Sequence, residues 1–141
     1  MAAKPTLILL RGPPGAGKTT LAEVGYPTFS RISADDYFLT NGSYAFDPRK
    51  LKVAHDICFA RTKEALEAGK NVIVDNTNRR LDEFSRYLKL DAQIKIFKVV
   101  TQFKSNKNIP QHVITRYYQE YEAYSGERDV RLKDGIVEFR K

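Results

Sequence analysis

The octet Gly12-Pro13-Pro14-Gly15-Ala16-Gly17-Lys18-Thr19 meets G-x-x-x-x-G-K-[ST] at every fixed position, the pattern of a loop that holds a nucleoside triphosphate. The chemistry accounts for the residue types. Several backbone N–H groups must converge on the phosphate oxygens, and a side chain at Gly15 or Gly17 would obstruct that approach. The phosphate contacts are therefore expected from Gly12, Gly15, Ala16, Gly17, Lys18, Thr19 and Thr20. Lys18 brings a point charge to the β- and γ-phosphates, and the Thr19 hydroxyl is a ligand for Mg²⁺. Two acids stand out further along. Asp35 lies close after the loop, where a carboxylate can orient an acceptor hydroxyl and take its proton. Asp75 closes an apolar run as a metal-supporting acid does, with Thr77 and Asn78 following it into the same cleft.

These residues need a scaffold. Leu7 to Leu10 is an apolar run bounded by glycine, hence a buried parallel strand running into the loop. Thr20 to Glu23 opens a helix whose N-terminal dipole favours the same anion. Gly25 and Pro27 stop that helix, and residues 28–33 read as a short second strand. Residues 40–46 form a loop with Asn41-Gly42 as its turn. Asp47 caps a helix with Pro48 at its first position; Leu51, Ala54, His55, Cys58, Thr62, Ala65 and Leu66 share one face, and Gly69 ends it. His55 and Cys58 on that face are expected as packing residues. Asn71 to Asp75 is a third strand, Arg80 to Leu90 a helix, Ile94 to Val100 a fourth strand and Thr101 to Ile109 a loop. Pro110 opens a last helix that buries Val113, Ile114, Tyr117, Tyr118, Tyr121 and Tyr124 and ends at Ser125-Gly126. A short strand at Ile136 to Phe139 closes the chain. Strands alternating with helices give an α/β fold: a parallel sheet between helices, with Gly12, Asp35 and Asp75 beyond the carboxyl ends of the strands.

With 141 residues and no linker or repeat, one domain is expected. No apolar run approaches the ~20 residues of a membrane span. The single cysteine, Cys58, excludes an internal disulfide and fits a reducing cytoplasm, and the first apolar run is a strand rather than a secretory leader. Net charge is +7, and no acid occurs between Ala92 and Gln119, a stretch holding Lys95, Lys98, Lys104, Lys107 and Arg116. A basic surface beside a triphosphate site points to a polyanionic acceptor.

The segments GPPGAGKTT, ISADDYF, VIVDNTN and KSNKNIPQHVITRYYQEYE together resemble the polynucleotide-kinase-type P-loop kinases, among them phage polynucleotide kinase and phage hydroxymethyluracil DNA kinases. The resemblance spans residues 6 to about 124. It implies an adenylate-kinase-like three-layer fold with a short lid and ATP with Mg²⁺ as donor. The implied acceptor is a hydroxyl on nucleic acid, DNA in particular: a 5′ end or a hydroxymethylated base. By the same resemblance, Lys18 and Thr19 serve the triphosphate, Asp35 is the general base, and Asp75 supports the metal. Asp35, Tyr37, Phe38 and Asn78 face the acceptor. Two positions depart from the pattern. Phe38 stands where polynucleotide kinase has an arginine, so its ring is expected against a base or sugar. Lys104 and Lys107 stand where the lid usually carries arginine; Lys104 is the expected catalytic cation. A kinase of small nucleosides or metabolites, and a slow nucleotide-hydrolysing switch, are the competing readings.

Overall fold

A computed structural model describes residues 3–40, 43–100 and 110–140. The expected loop over Thr101 to Ile109, with Lys104 and Lys107, lies outside the described residues, as does Asn41-Gly42. Strand β1 (Thr6–Arg11) runs into the phosphate loop, and α1 (Lys18–Gly25) leaves it. Then come β2 (Ser30–Ile32), a 3₁₀ turn (Ala34–Phe38), and the small hairpin β3 (Leu39–Thr40) and β4 (Ser43–Tyr44). A 3₁₀ turn (Pro48–Lys50) leads into α2 (Leu51–Glu67), and β5 (Val72–Asp75) follows. The rest of the chain forms α3 (Leu81–Phe84), β6 (Gln93–Val99), α4 (Gln111–Gln119), β7 (Glu127–Lys133) and β8 (Ile136–Phe139).

The main sheet has the order β2-β5-β1-β6-β7-β8, parallel except for β8. β1 is apolar from Leu7 to Leu10 because both of its faces are covered there. Leu7 and Leu9 pack with Val72 and Val74 against Ala54, Cys58 and Leu66 of α2 and against Phe84 and Tyr87. Ile8 and Leu10 pack with Ile73, Phe97 and Val99 against Leu21 and Ala22 of α1 on the other face. Each such aliphatic side chain gains roughly 1.5–3 kcal/mol on leaving water. The expected three-layer α/β architecture is therefore the one observed.

Asp47 caps as expected, its Oδ1 accepting from Arg49 N at 3.0 Å. Gly69 ends α2 with φ of 83°, while Gly69 N and Lys70 N bond back to the Leu66 and Ala65 carbonyls. Four details differ from the sequence reading. Leu51 is exposed, because the preceding 3₁₀ turn rotates the first helical residue outward. Arg80 to Leu90 is one helical turn followed by a 3₁₀ segment, Ser85–Lys89. α4 stops at Gln119 and leaves Tyr118 exposed, because the backbone of Glu122 bonds to Arg79 O and to Arg11 instead of continuing the helical ladder. β7 was not foreseen: five of its seven residues are charged, and only Val130 and Leu132 carry its inward face. Asp134 (φ 52°) and Gly135 (φ 79°) turn it into β8, the left-handed pair that a two-residue hairpin prefers.

Candidate functional site

The phosphate loop joins β1 to α1. Gly15 and Gly17 have φ of 81° and 91°, the left-handed region that lets successive N–H groups point inward. Gly12 is tightly enclosed: a Cβ there would meet Ala16 Cβ at 3.3 Å. α1 begins at Lys18 with neither a capping side chain nor an acid in its first turn, so its N-terminal amides are offered to an anion. Lys18 is buried and donates to the Gly12 and Pro13 carbonyls, each at 3.0 Å. Its ammonium thus lies across the mouth of the loop.

Thr19 and Asp75, far apart in sequence, meet here: Thr19 Oγ1 donates to Asp75 Oδ2 at 2.6 Å. A hydroxyl and a carboxylate side by side fit Mg²⁺, which takes one or two protein oxygens and fills its remaining positions with water and phosphate. Among the described residues no cluster of three or more His, Cys, Asp and Glu is gathered for a metal, and none is needed for that mode of binding. Arg31, the middle residue of β2, lies 3.3 Å from Asp75 Oδ2 and 3.8 Å from Asp36 Oδ1. It ties Asp75 to the segment that carries Asp35. Sequence reasoning passed over it, since an arginine in a three-residue strand gives no signal of its own.

That segment is held from two directions. Ser33 Oγ accepts from Asp35 N at 3.2 Å, and Ser33 N donates to Asp36 Oδ2 at 3.3 Å, a reciprocal cap. Asn76 Oδ1 accepts from Ala34 N at 2.9 Å, fixing the turn to the end of β5. Asp36 is thus the structural acid of the pair, and Asp35 is exposed, its Oδ1 accepting from Tyr44 Oη at 3.3 Å. Burial first, then the Asp35 charge and hydrogen bond, push the Tyr44 phenol above its ordinary pKa.

Two residues expected at the acceptor are used otherwise. Phe38 is 3% exposed and belongs to the core beneath the turn; its ring is covered edge-on by Tyr37, Tyr44 and Phe46 at 5.1–6.2 Å. It supports the aromatic residues around it and turns no free face to a ligand. Asn78 is buried with φ of 44°, and its Nδ2 donates to Leu10 O at 2.8 Å. It pins the loop after β5 to β1. Tyr37 is 37% exposed, as its loop position suggested. Thr77 contributes its carbonyl, which accepts from Gly12 N at 3.2 Å and from Tyr117 Oη at 2.6 Å.

Arg11 drew no functional expectation from its residue type or spacing. It is 0% exposed. Its Nε donates to Asn78 O at 2.7 Å, and its Nη2 to Arg79 O and Glu122 O at 2.8 and 2.7 Å. The guanidinium lies 4.6 and 4.1 Å from the ring centres of Phe84 and Tyr121, and Nη1 is 3.5 Å from Glu127 Oε1. Tyr121 donates its hydroxyl to the other Glu127 oxygen. The only sequence signal was a charge closing an apolar strand directly before the loop. Arg11 holds the loop from behind and does not face the phosphates.

A separate cleft of about 270 Å³ between α2 and α3 is lined by Lys52, His55, Asp56, Asp82, Glu83 and Arg86. It contains none of the phosphate-loop residues. Burial, ahead of the opposing charge of Glu83, holds the His55 pKa below its ordinary 6.5. Among the described residues no helix is long and apolar enough to cross a membrane.

Comparison with known proteins agrees with this geometry. Human NEDD4-binding protein 2 is 42% identical over 98 residues, which is 67% of this chain but 6% of that protein. Among solved structures, a chain of the Pnkp1/Rnl/Hen1 RNA repair complex superposes with a TM-score of 0.67 at 22% identity, covering 85% of this chain and 45% of that one. A sugar kinase from Janibacter sp. gives 0.61 at 12% identity, covering 92% of this chain and 84% of that one. At those identities the likeness is one of fold, shared by kinases of different acceptors. The AAA domain family model matches residues 7–131, and with a phosphate loop, a mostly parallel sheet and helices on both faces in the arrangement of P-loop kinases, the chain belongs to that nucleotide-binding family.

Proposed function

We propose that residues 1–141 act as a single P-loop kinase domain that transfers the γ-phosphate of ATP, bound with Mg²⁺, to a hydroxyl carried by nucleic acid. The observation that carries this reading is the exposed Asp35 carboxylate. It is fastened through Asp36 and Arg31 to the Thr19–Asp75 pair. ATP supplies the transferable phosphoryl group; Thr19 and Asp75 would hold the cation, which would supply charge neutralisation at the phosphates. Lys18 and the amides of residues 12–20 hold the phosphates, and charge gathering there in the transition state meets preorganised donors. Asp35 accepts the proton of the attacking hydroxyl and orients it. The acceptor class is supported by the net charge of +7 and by the acid-free run from Ala92 to Gln119, and by the likeness to a chain of an RNA repair complex. We favour the 5′-hydroxyl of a single strand over a hydroxymethylated base; small nucleosides and sugars are the alternative acceptors that the fold also accommodates.

The test is transfer from labelled ATP to a panel: 5′-hydroxyl RNA and DNA, DNA with hydroxymethylated bases, nucleosides and sugars. Label should enter the single strands and be lost in Asp35→Asn while ATP binding persists. Asp36→Asn should keep transfer and lose about 1 kcal/mol of stability with its cap. Transfer confined to sugars or nucleosides, or an Asp35→Asn variant as active as its parent, would refute the proposal.

A further inference from the structure

Half-exposed aromatic rings are costly to leave in water unless something covers them. Two lie side by side at the proposed acceptor carboxylate: Tyr44 at 54% and Phe46 at 51% exposure. They are two residues apart in an extended segment, so their side chains fall on the same side. Both rest edge-on against the buried Phe38, at 6.2 and 5.1 Å between ring centres. Ala45 N, between them, donates to Phe38 O at 2.9 Å. The rings are thereby fixed to the core from below while their upper surfaces remain open. The Tyr44 hydroxyl also reaches Asp35, so the shelf begins where a reacting hydroxyl would sit.

The surrounding charge is predominantly positive, although Arg49 pairs with Asp47 at 3.1 Å and Lys52 with Asp56 at 2.8 Å. From Ser43 to Lys52 the chain has one acid, Asp47, against three bases, Arg49, Lys50 and Lys52. The Arg49 and Lys52 side chains are 88% and 89% exposed. Fixed aromatic faces flanked by exposed cations are the pairing that holds single-stranded nucleic acid, the rings stacking on bases and the cations following the phosphates.

We infer that Tyr44 and Phe46 form a base-stacking shelf for the terminal nucleotides of a single-stranded nucleic-acid acceptor, with Arg49, Lys50 and Lys52 along its backbone. The inference rests on the proposed kinase reading for the identity of the acceptor, and it names what that reading left open: how the strand is gripped. Double-stranded ends are poor ligands in this arrangement, because their terminal bases are already stacked and paired.

The test measures binding of a fluorescent ten-nucleotide single strand to the full chain without ATP, so that it is independent of transfer. Phe46→Ala and Tyr44→Ala should each weaken binding about tenfold, the loss expected for one stacked base. Phe46→Leu retains apolar cover over Phe38 and should show a similar loss, which keeps the test valid if Phe46→Ala folds poorly. Tyr44→Phe retains the ring and should bind the strand as the parent does. In the transfer assay the ring deletions should raise KM for the strand more than they lower kcat. Affinity within twofold of the parent in Phe46→Leu and Tyr44→Ala would overturn the shelf. So would a parent chain that binds no single strand, which would leave the rings to a protein partner. Failure of the kinase reading is distinguishable, because it appears as absent transfer with strand binding intact.

Discussion

Replacing Arg11 with methionine tests whether the residue before the phosphate loop holds structure or phosphate. The side chain makes three hydrogen bonds of 2.7–2.8 Å to the carbonyls of Asn78, Arg79 and Glu122. Charge-assisted bonds are each worth about 1.5–3 kcal/mol. Their gross sum, roughly 5–9 kcal/mol, is an upper bound, since methionine fills similar space between Phe84 and Tyr121 and gains apolar contact there. Removing one partner of a buried charged network costs about 3–5 kcal/mol, and we expect that range. At about 3 °C per kcal/mol for a chain of this size, the melting midpoint should fall by roughly 10–15 °C. Arg11→Lys should recover less than half of the loss, because an ammonium cannot reach separate carbonyls or lie flat between two rings. The assay is thermal and urea melting, followed by ATP binding at a temperature where the variant is folded. A midpoint within about 2 °C of the parent would refute the reasoning. So would a folded Arg11→Met variant whose ATP affinity falls as far as that of Lys18→Ala.

Lys18→Ala removes the ammonium that bridges the Gly12 and Pro13 carbonyls; phosphoryl transfer should drop about 10²-fold or more, and near-normal turnover would remove the triphosphate assignment. His55 gives a pH prediction. Its folded pKa lies below 6.5, chiefly through burial, so the unfolded chain binds its proton more readily. Stability is therefore full above the unfolded pKa and is lost as pH falls through and below 6.5. Melting midpoints of the parent should decline over that window more steeply than those of His55→Gln, and parallel curves would count against the assignment.

Much of the phosphate loop's geometry was legible in the sequence because its residue types answer to one requirement. Gly15 and Gly17 take backbone angles few other residues tolerate, and Lys18 and Thr19 follow at fixed spacing on one helix start. The apolar runs of β1 and β5 were equally plain, since burial on both faces leaves no polar position. The acceptor side was less legible. Asp35 and Asp36 are adjacent and chemically alike, and only the cap made with Ser33 separates them. Phe38 was assigned by the position it shares with an arginine in similar kinases, yet the fate of a phenylalanine is set by what lies beneath it. β7 hid behind its charges because only two of its residues face inward. Arg11 and the Arg31–Asp75 pair depend on partners more than forty residues away, which no local pattern can announce.

The margins of the sheet bear on how the molecule keeps to itself. An unpaired seven-residue strand is a template for another chain, and β7 would be one if it ended the sheet. The hairpin turn at Asp134-Gly135 lays β8 along it, with Arg131 and Glu138 paired at 2.7 Å. At the opposite margin β2 has three residues. Among the described residues, the edges left open are four residues on one side and three on the other, too short on either to seed a ladder between molecules. β8 therefore covers an edge as well as part of the core, and a chain shortened before Ile136 would trade a protected edge for an adhesive one.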